Sequence, residues 1–154
     1  MTTPTSADLA AEAATLTLPR FAEAEALALG RILTDLGMQD RLPIVIDIRT
    51  ADRTLFHAAL PGAAPLNDLW ARRKSTTALI FQEPSFLVGT RNREKGETLA
   101  KHGLAEADCA DHGGAVPVRV KGVGMVAVAT VSGLPQAEDH ALVVRALRAL
   151  AETL

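Results

Sequence analysis

From Phe21 onward the apolar positions Phe21, Ala24, Ala28, Leu29, Ile32, Leu33 and Leu36 recur at helical spacing, while Glu23, Glu25, Arg31 and Asp35 fall mostly on the other side. That spacing gathers one apolar stripe on an α-helix, and Gly37 suits its C-terminal cap. The next segments change character. Leu42 to Arg49 is a β-branched run, and Thr54 to Leu60 follows at hairpin distance, so the two strands are expected to pair antiparallel. Pro61-Gly62 stops the second strand, and Pro65 with Asn67 opens a helix that runs to about Phe81.

Ala115–Val120 and Val123–Ser132, joined by Lys121-Gly122, read as a second hairpin. Its longer strand is apolar on both faces, with Val123, Met125, Ala127, Ala129 and Val131 opposed to Val126 and Val128. Antiparallel sheets usually leave one face wet, so this strand is expected at the centre with helices packed on each side. The last helix is expected from Pro135, a residue suited to a first helical position, to about Thr153, docked through His140, Val144, Leu147 and Ala151. Elsewhere the pattern is weaker. Residues 84–89 suggest a short strand or turn, and 90–114 have the polarity of exposed turns and helical pieces. Residues 1–18, rich in Thr and Ala without a sustained period, read as a flexible arm with a short helix around Asp8–Ala14. The expectation is one domain over 19–154, an α/β/α layered sandwich with a mostly antiparallel sheet and helices on both faces.

Composition narrows the partners. The chain of 154 residues is 48% apolar but only 3% aromatic, so its core must be built from Ala, Val, Leu and Ile. Lys and Arg number 16 against 18 acidic residues, and no block of like charge exceeds Arg72-Arg73-Lys74, which argues against nucleic acid as a partner. The N-terminal stretch lacks the basic and apolar regions of a secretion signal, and no segment approaches a membrane span. Cys109 is the only cysteine, which excludes an intrachain disulfide and any CxxC pair. The cytoplasm is the expected compartment, with no membrane partner.

Candidate chemistry begins within the helix at 65–81. A stripe of Leu66, Leu69, Trp70, Arg73, Thr77 and Ile80 puts a guanidinium where the period asks for an apolar group. A buried Arg needs a partner or a ligand. Either Arg73 snorkels or pairs with Asp47, Glu138 or Asp139, or it recognises a carboxylate or phosphate with help from Arg72 or Lys74. His57 and Phe56 alternate along a strand and so point to opposite faces. His140 lies on the docking stripe of the last helix, where packing and a hydrogen bond would account for it. His112 differs, because Gly113-Gly114 follow it and lack of a Cβ lets backbone approach a ligand or another chain. Asp108, Cys109, Asp111 and His112 lack a full metal-ligand spacing, so no metal site is expected. Ser132 sits in VSG rather than GxSxG, and the adjacent Asp139 and His140 diverge on a helix, which disfavours a serine hydrolase. Ser132, Gly133 and the first turn of the last helix could instead offer donors to an anion, unless Glu138 and Asp139 already serve that helix dipole.

Three blocks, LFHAALPG at 55–62, NDLWARRK at 67–74 and HGGAVPVRVKGVGMVAVATVSGLPQAEDHALVV at 112–144, resemble the haem-degrading-domain family of GlcG/HbpS-like proteins. The likeness is greatest to a subgroup of small cytosolic uncharacterised proteins that includes a yeast relative. The resemblance implies a profilin-like sandwich, homo-oligomers built from dimers into octamers or decamers, and haem binding in some relatives. Haem needs an apolar slot, an axial donor and cations for its propionates. His57, His112 or His140 could meet the second need and Arg72, Arg73 and Lys74 the third, with Trp70, Phe56, Phe81 and Phe86 available to line the slot. The leading expectation is an oligomeric binding protein for haem or another anionic small molecule through His57, Arg72, Arg73, Lys74, His112, Gly113, Gly114, Ser132, Gly133 and His140. A structural or adaptor oligomer with a protein partner, and an enzyme acting on a small organic acid or cofactor, are the alternatives.

Overall fold

The computed structural model describes residues 3–154. Its elements are α1 (Ser6–Ala13), β1 (Thr17–Leu18), α2 (Glu23–Gln39), β2 (Val45–Arg49), β3 (Thr54–Ala59), α3 (Pro65–Phe81), α4 (Ser85–Lys95), a 3-10 turn (Leu99–His102), β4 (Ala115–Val120), β5 (Gly124–Ser132) and α5 (Gln136–Ala151). The strands form one open sheet in the order β1-β4-β5-β2-β3. Every pairing is antiparallel except the short one between β1 and β4. The strand expected at the centre, β5, lies between β4 and β2.

Alternation along the strands divides the sheet into two unlike faces. On one, Ile46, Ile48, Val118, Ala129 and Val131 meet Leu29 and Leu33 of α2 and Val143 and Leu147 of α5 in a continuous apolar cluster. On the other, Ala78 of α3 packs on Ala115 and Val128. The result is the expected α/β/α arrangement. Small residues bring the first layer close: a side chain at Gly30 would strike the Phe56 ring, and one at Gly37 would strike Leu60. Gly37 is therefore a packing position inside α2 and not its cap, which falls at Asp40.

Two segments depart from the sequence expectation. The arm expected to be flexible is docked from residue 5 to residue 18. Thr5 and Asp8 form a reciprocal cap on α1, Ser6 donates to Glu94, Leu9 is buried with Phe86 and Leu87, and Leu18 is buried where β1 pairs with β4. Residues 84–89 are neither strand nor turn: Pro84 is the N-cap of α4 and 85–89 are its first residues. Phe86, Leu87, Val88, Thr90 and Asn92 are all buried there, so the helix is enclosed around most of its circumference and shows no amphipathic period.

Candidate functional site

The inward face of α3 is Ala71, Lys74, Ser75 and Ala78, a set spaced as helical neighbours. Of the stripe expected to be core only Thr77 is buried, while Leu66, Leu69 and Ile80 face outward at 61%, 52% and 51% exposed. The reason lies in the strands beneath. They present the polar side chains Asp47, Thr130 and Ser132 on this face, and Ser75 Oγ of the helix meets Thr130 Oγ1 at 2.7 Å.

Lys74, rather than Arg73, is the buried cation. Its Nζ donates to the carbonyls of Gly113 (3.0 Å) and Val131 (2.7 Å) and to Asp139 Oδ2 (3.1 Å), which uses all three ammonium protons. Burial pushes the Lys74 pKa down and the Asp139 pKa up, and attraction within the pair opposes both shifts. Asp139 also accepts the N–H groups of Gly133 (3.4 Å) and Leu134 (3.0 Å), so one carboxylate holds the turn from β5 into α5. Gly114 completes this node at φ +138°, where any Cβ would collide with the Lys74 ammonium and the Val131 carbonyl.

Arg73 lies on the rim. Its guanidinium carbon is 4.6 Å from the Trp70 ring centroid, and Nε donates to the Glu106 carbonyl at 2.6 Å. Its terminal nitrogens make no hydrogen bond among the described residues. Trp70 in turn meets His112 edge to face, with centroids 5.1 Å apart. Trp70 and His112 form a wall between two clefts. The larger, about 560 Å³, is bounded by Arg73, Leu99, Leu104, Cys109 and Ala110; the smaller, about 240 Å³, by Asn67, Lys74, Gly113, Ser132, Gly133, Leu134, Gln136 and Asp139. Burial pushes the His112 pKa down, only partly offset by Asp111, whose Oδ1 lies 3.8 Å from Nδ1. The Cys109 thiol is pushed up by burial, so it is no ready nucleophile.

Residues 21–148 match the family described as haem degrading protein HbpS-like. The chain belongs to the HbpS-like family. A UPF0303 protein of Streptomyces coelicolor is 48% identical over 147 residues, covering 95% of this chain and 93% of the relative. The crystal structure of the Ybr137w protein superposes with a TM-score of 0.88 at 31% identity, covering 97% of this chain and 88% of that one. The crystal structure of a PduOC:Heme complex shares the fold at a TM-score of 0.70 and 18% identity, covering 84% of this chain and 94% of the other.

The ten candidate residues of this HbpS-like chain do not converge on one point. Lys74, Gly113, Ser132, Gly133 and His112 line the smaller cleft, and Arg73 and His112 the larger. His57 lines neither: Nδ1 meets Asp47 Oδ2 at 3.0 Å and Nε2 meets Asp68 Oδ1 at 2.9 Å, which occupies both ring nitrogens. His140 lines neither and is buried against Phe86, with Nε2 2.6 Å from Glu12 Oε1 and Nδ1 without a partner. Arg72 is exposed, with a long 3.4 Å contact to the Ala107 carbonyl. Of the aromatics expected to line a slot, only Trp70 does; Phe56 packs on α2, Phe81 beside His102 and Phe86 beside His140. Sequence reasoning missed Asn67 and Gln136 in the smaller cleft. Their signal was position alone, each at the start of a helix. Among the described residues no cluster of His, Cys, Asp and Glu could hold a metal ion, and no helix is long and apolar enough to cross a membrane.

Proposed function

We propose that this HbpS-like chain binds haem or a similar flat anionic molecule in the larger cleft, with His112 as the axial donor, Arg73 facing the anionic edge and Trp70 lining the slot. The observation that carries the reading is the state of His112. Of the three histidines first considered, it alone borders a cleft, and its lowered pKa favours the neutral imidazole that ligation requires. The cleft fits the group: it falls within the usual range of small-molecule pockets, its walls include Leu99, Leu104 and Ala110, and Arg73 has two unengaged nitrogens at the rim. Lys74 has no proton left for a propionate. The haem in the PduOC complex supports the class of ligand, and the family description supports it further. When bound, haem would supply a redox-active iron; the protein residues supply donor, charge and dry surface. Titration with hemin should give a saturable Soret shift that Arg73→Ala weakens without lowering Tm. Absence of any saturable shift would remove haem.

A second, compatible reading is self-association through α3. Leu66, Leu69 and Ile80 repeat along its outer face and are more than half exposed. Leu69→Asp should lower the mass measured by light scattering while leaving the melting temperature within about 2 °C. An unchanged mass would contradict this role for α3.

A further inference from the structure

The walls of the smaller cleft carry an excess of hydrogen-bond donors. Asn67 Oδ1 accepts the N–H of Ala64 at 2.9 Å, and Gln136 Oε1 accepts the N–H of Gly113 at 2.9 Å. A backbone N–H only donates, so both amide oxygens are assigned and both amide NH2 groups remain as donors. Ser132 is only 3% exposed, lines the cleft, and its hydroxyl makes no hydrogen bond among the described residues. The one carboxylate at the wall, Asp139, is 2% exposed and already accepts from Lys74, Gly133 and Leu134. Trp70 and Leu134 supply apolar surface on the remaining sides. The first turn of α5 adds the positive end of a 16-residue helix at the same wall.

We propose that this cleft is a site for a small monocarboxylate, whose oxygens accept from Ser132 Oγ and from the amides of Asn67 and Gln136 while its short apolar tail lies against Trp70 and Leu134. Its volume of about 240 Å³ corresponds to roughly eight waters, which limits the ligand to a few carbons. The site does not depend on haem in the larger cleft: its polar groups, Ser132, Asn67 and Gln136, line the smaller cleft alone, and only the Trp70–His112 wall is common to both.

Trp70 is the only tryptophan of the chain, so its fluorescence reports directly from the shared wall. The full chain is titrated with acetate, propionate and pyruvate, and with inorganic phosphate at matched ionic strength, with ligand-observed NMR as a second readout. The expected result is a saturable response to the monocarboxylates and none to phosphate. Ser132→Ala should weaken binding about tenfold or more, the loss of one hydrogen bond to a charged group. Asn67→Asp, which keeps the oxygen that caps Ala64 but sets a negative charge in the cleft, should abolish it. Both variants should keep the parent melting temperature and the parent response to hemin, which separates this site from the haem reading. No saturable response to any monocarboxylate, unchanged affinity in Ser132→Ala, or equal binding of phosphate would each overturn the proposal.

Discussion

The two faces of the sheet are built on opposite principles. Against α2 and α5 the strands present Ile, Val and Ala to Leu and Val, and the contact is stabilised by area removed from water, with little demand on direction. Against α3 the strands present Asp47, Thr130 and Ser132, and the helix answers with Lys74 and Ser75, while Asp139 closes the node from α5. Hydrogen bonds fix positions more tightly than apolar packing does, since an unpaired buried polar group is costly. The smaller cleft opens on this polar face, and the larger lies beyond the Trp70–His112 wall. The difference teaches that the apolar layer contributes stability with little direction, whereas the polar layer contributes geometry as well: Lys74 ties the glycine pair, the end of β5 and α5 to one atom, and so fixes the walls in which His112, Trp70 and Ser132 stand.

The sharpest way to break this comparison is to remove the Lys74 node. Lys74→Met leaves Asp139 buried and unpaired and should cost about 3–5 kcal/mol by denaturant unfolding; Lys74→Met with Asp139→Leu should recover part of that loss. On the other face Leu147→Ala should cost about 2–5 kcal/mol by cavity formation and leave hemin affinity unchanged in the folded fraction. A Lys74→Met chain as stable as the parent would erase the distinction between the faces. The smallest effect is electrostatic. Burial holds the folded His112 below its ordinary pKa of 6.5, so the unfolded chain takes up a proton that the folded chain resists. Its stabilising contribution is therefore complete above pH 6.5 and lost as pH falls through the lowered folded value. Because the His112 side chain is 49% exposed, the effect should stay below about 1 kcal/mol. It should appear as a shallower fall of Tm between about pH 7 and pH 5 in His112→Asn; parallel curves for parent and variant would contradict it.

How far the sequence led depends on what holds each element. Strong periodicity marked α2 and α5, because each buries one coherent apolar face, and apolar runs marked β2, β4 and β5. It failed at α4, where Phe86 and Asn92 are both buried and no polar side remains to mark a period. It failed at the N-terminal arm, whose anchorage is mostly polar: the Thr5–Asp8 cap, Ser6 with Glu94, and Glu12 with His140. On α3 the apolar stripe was visible but belongs to the outer face, so Arg73 was assigned the burial that falls to Lys74. The small-residue spacing of Ala71, Ser75 and Ala78 around Lys74 was the available sign of close approach to a sheet. Among the histidines, the chain showed which could serve but not that Asp47 and Asp68 occupy both nitrogens of His57, since those partners lie on other elements.

The most direct test of the account is a hemin titration of three variants, His57→Ala, His112→Ala and His140→Ala, each followed through the Soret band and checked for folding by its melting curve. The account expects the saturable shift to vanish in His112→Ala and to persist in folded His57→Ala and His140→Ala. A shift that survives in His112→Ala while disappearing in folded His57→Ala would contradict it.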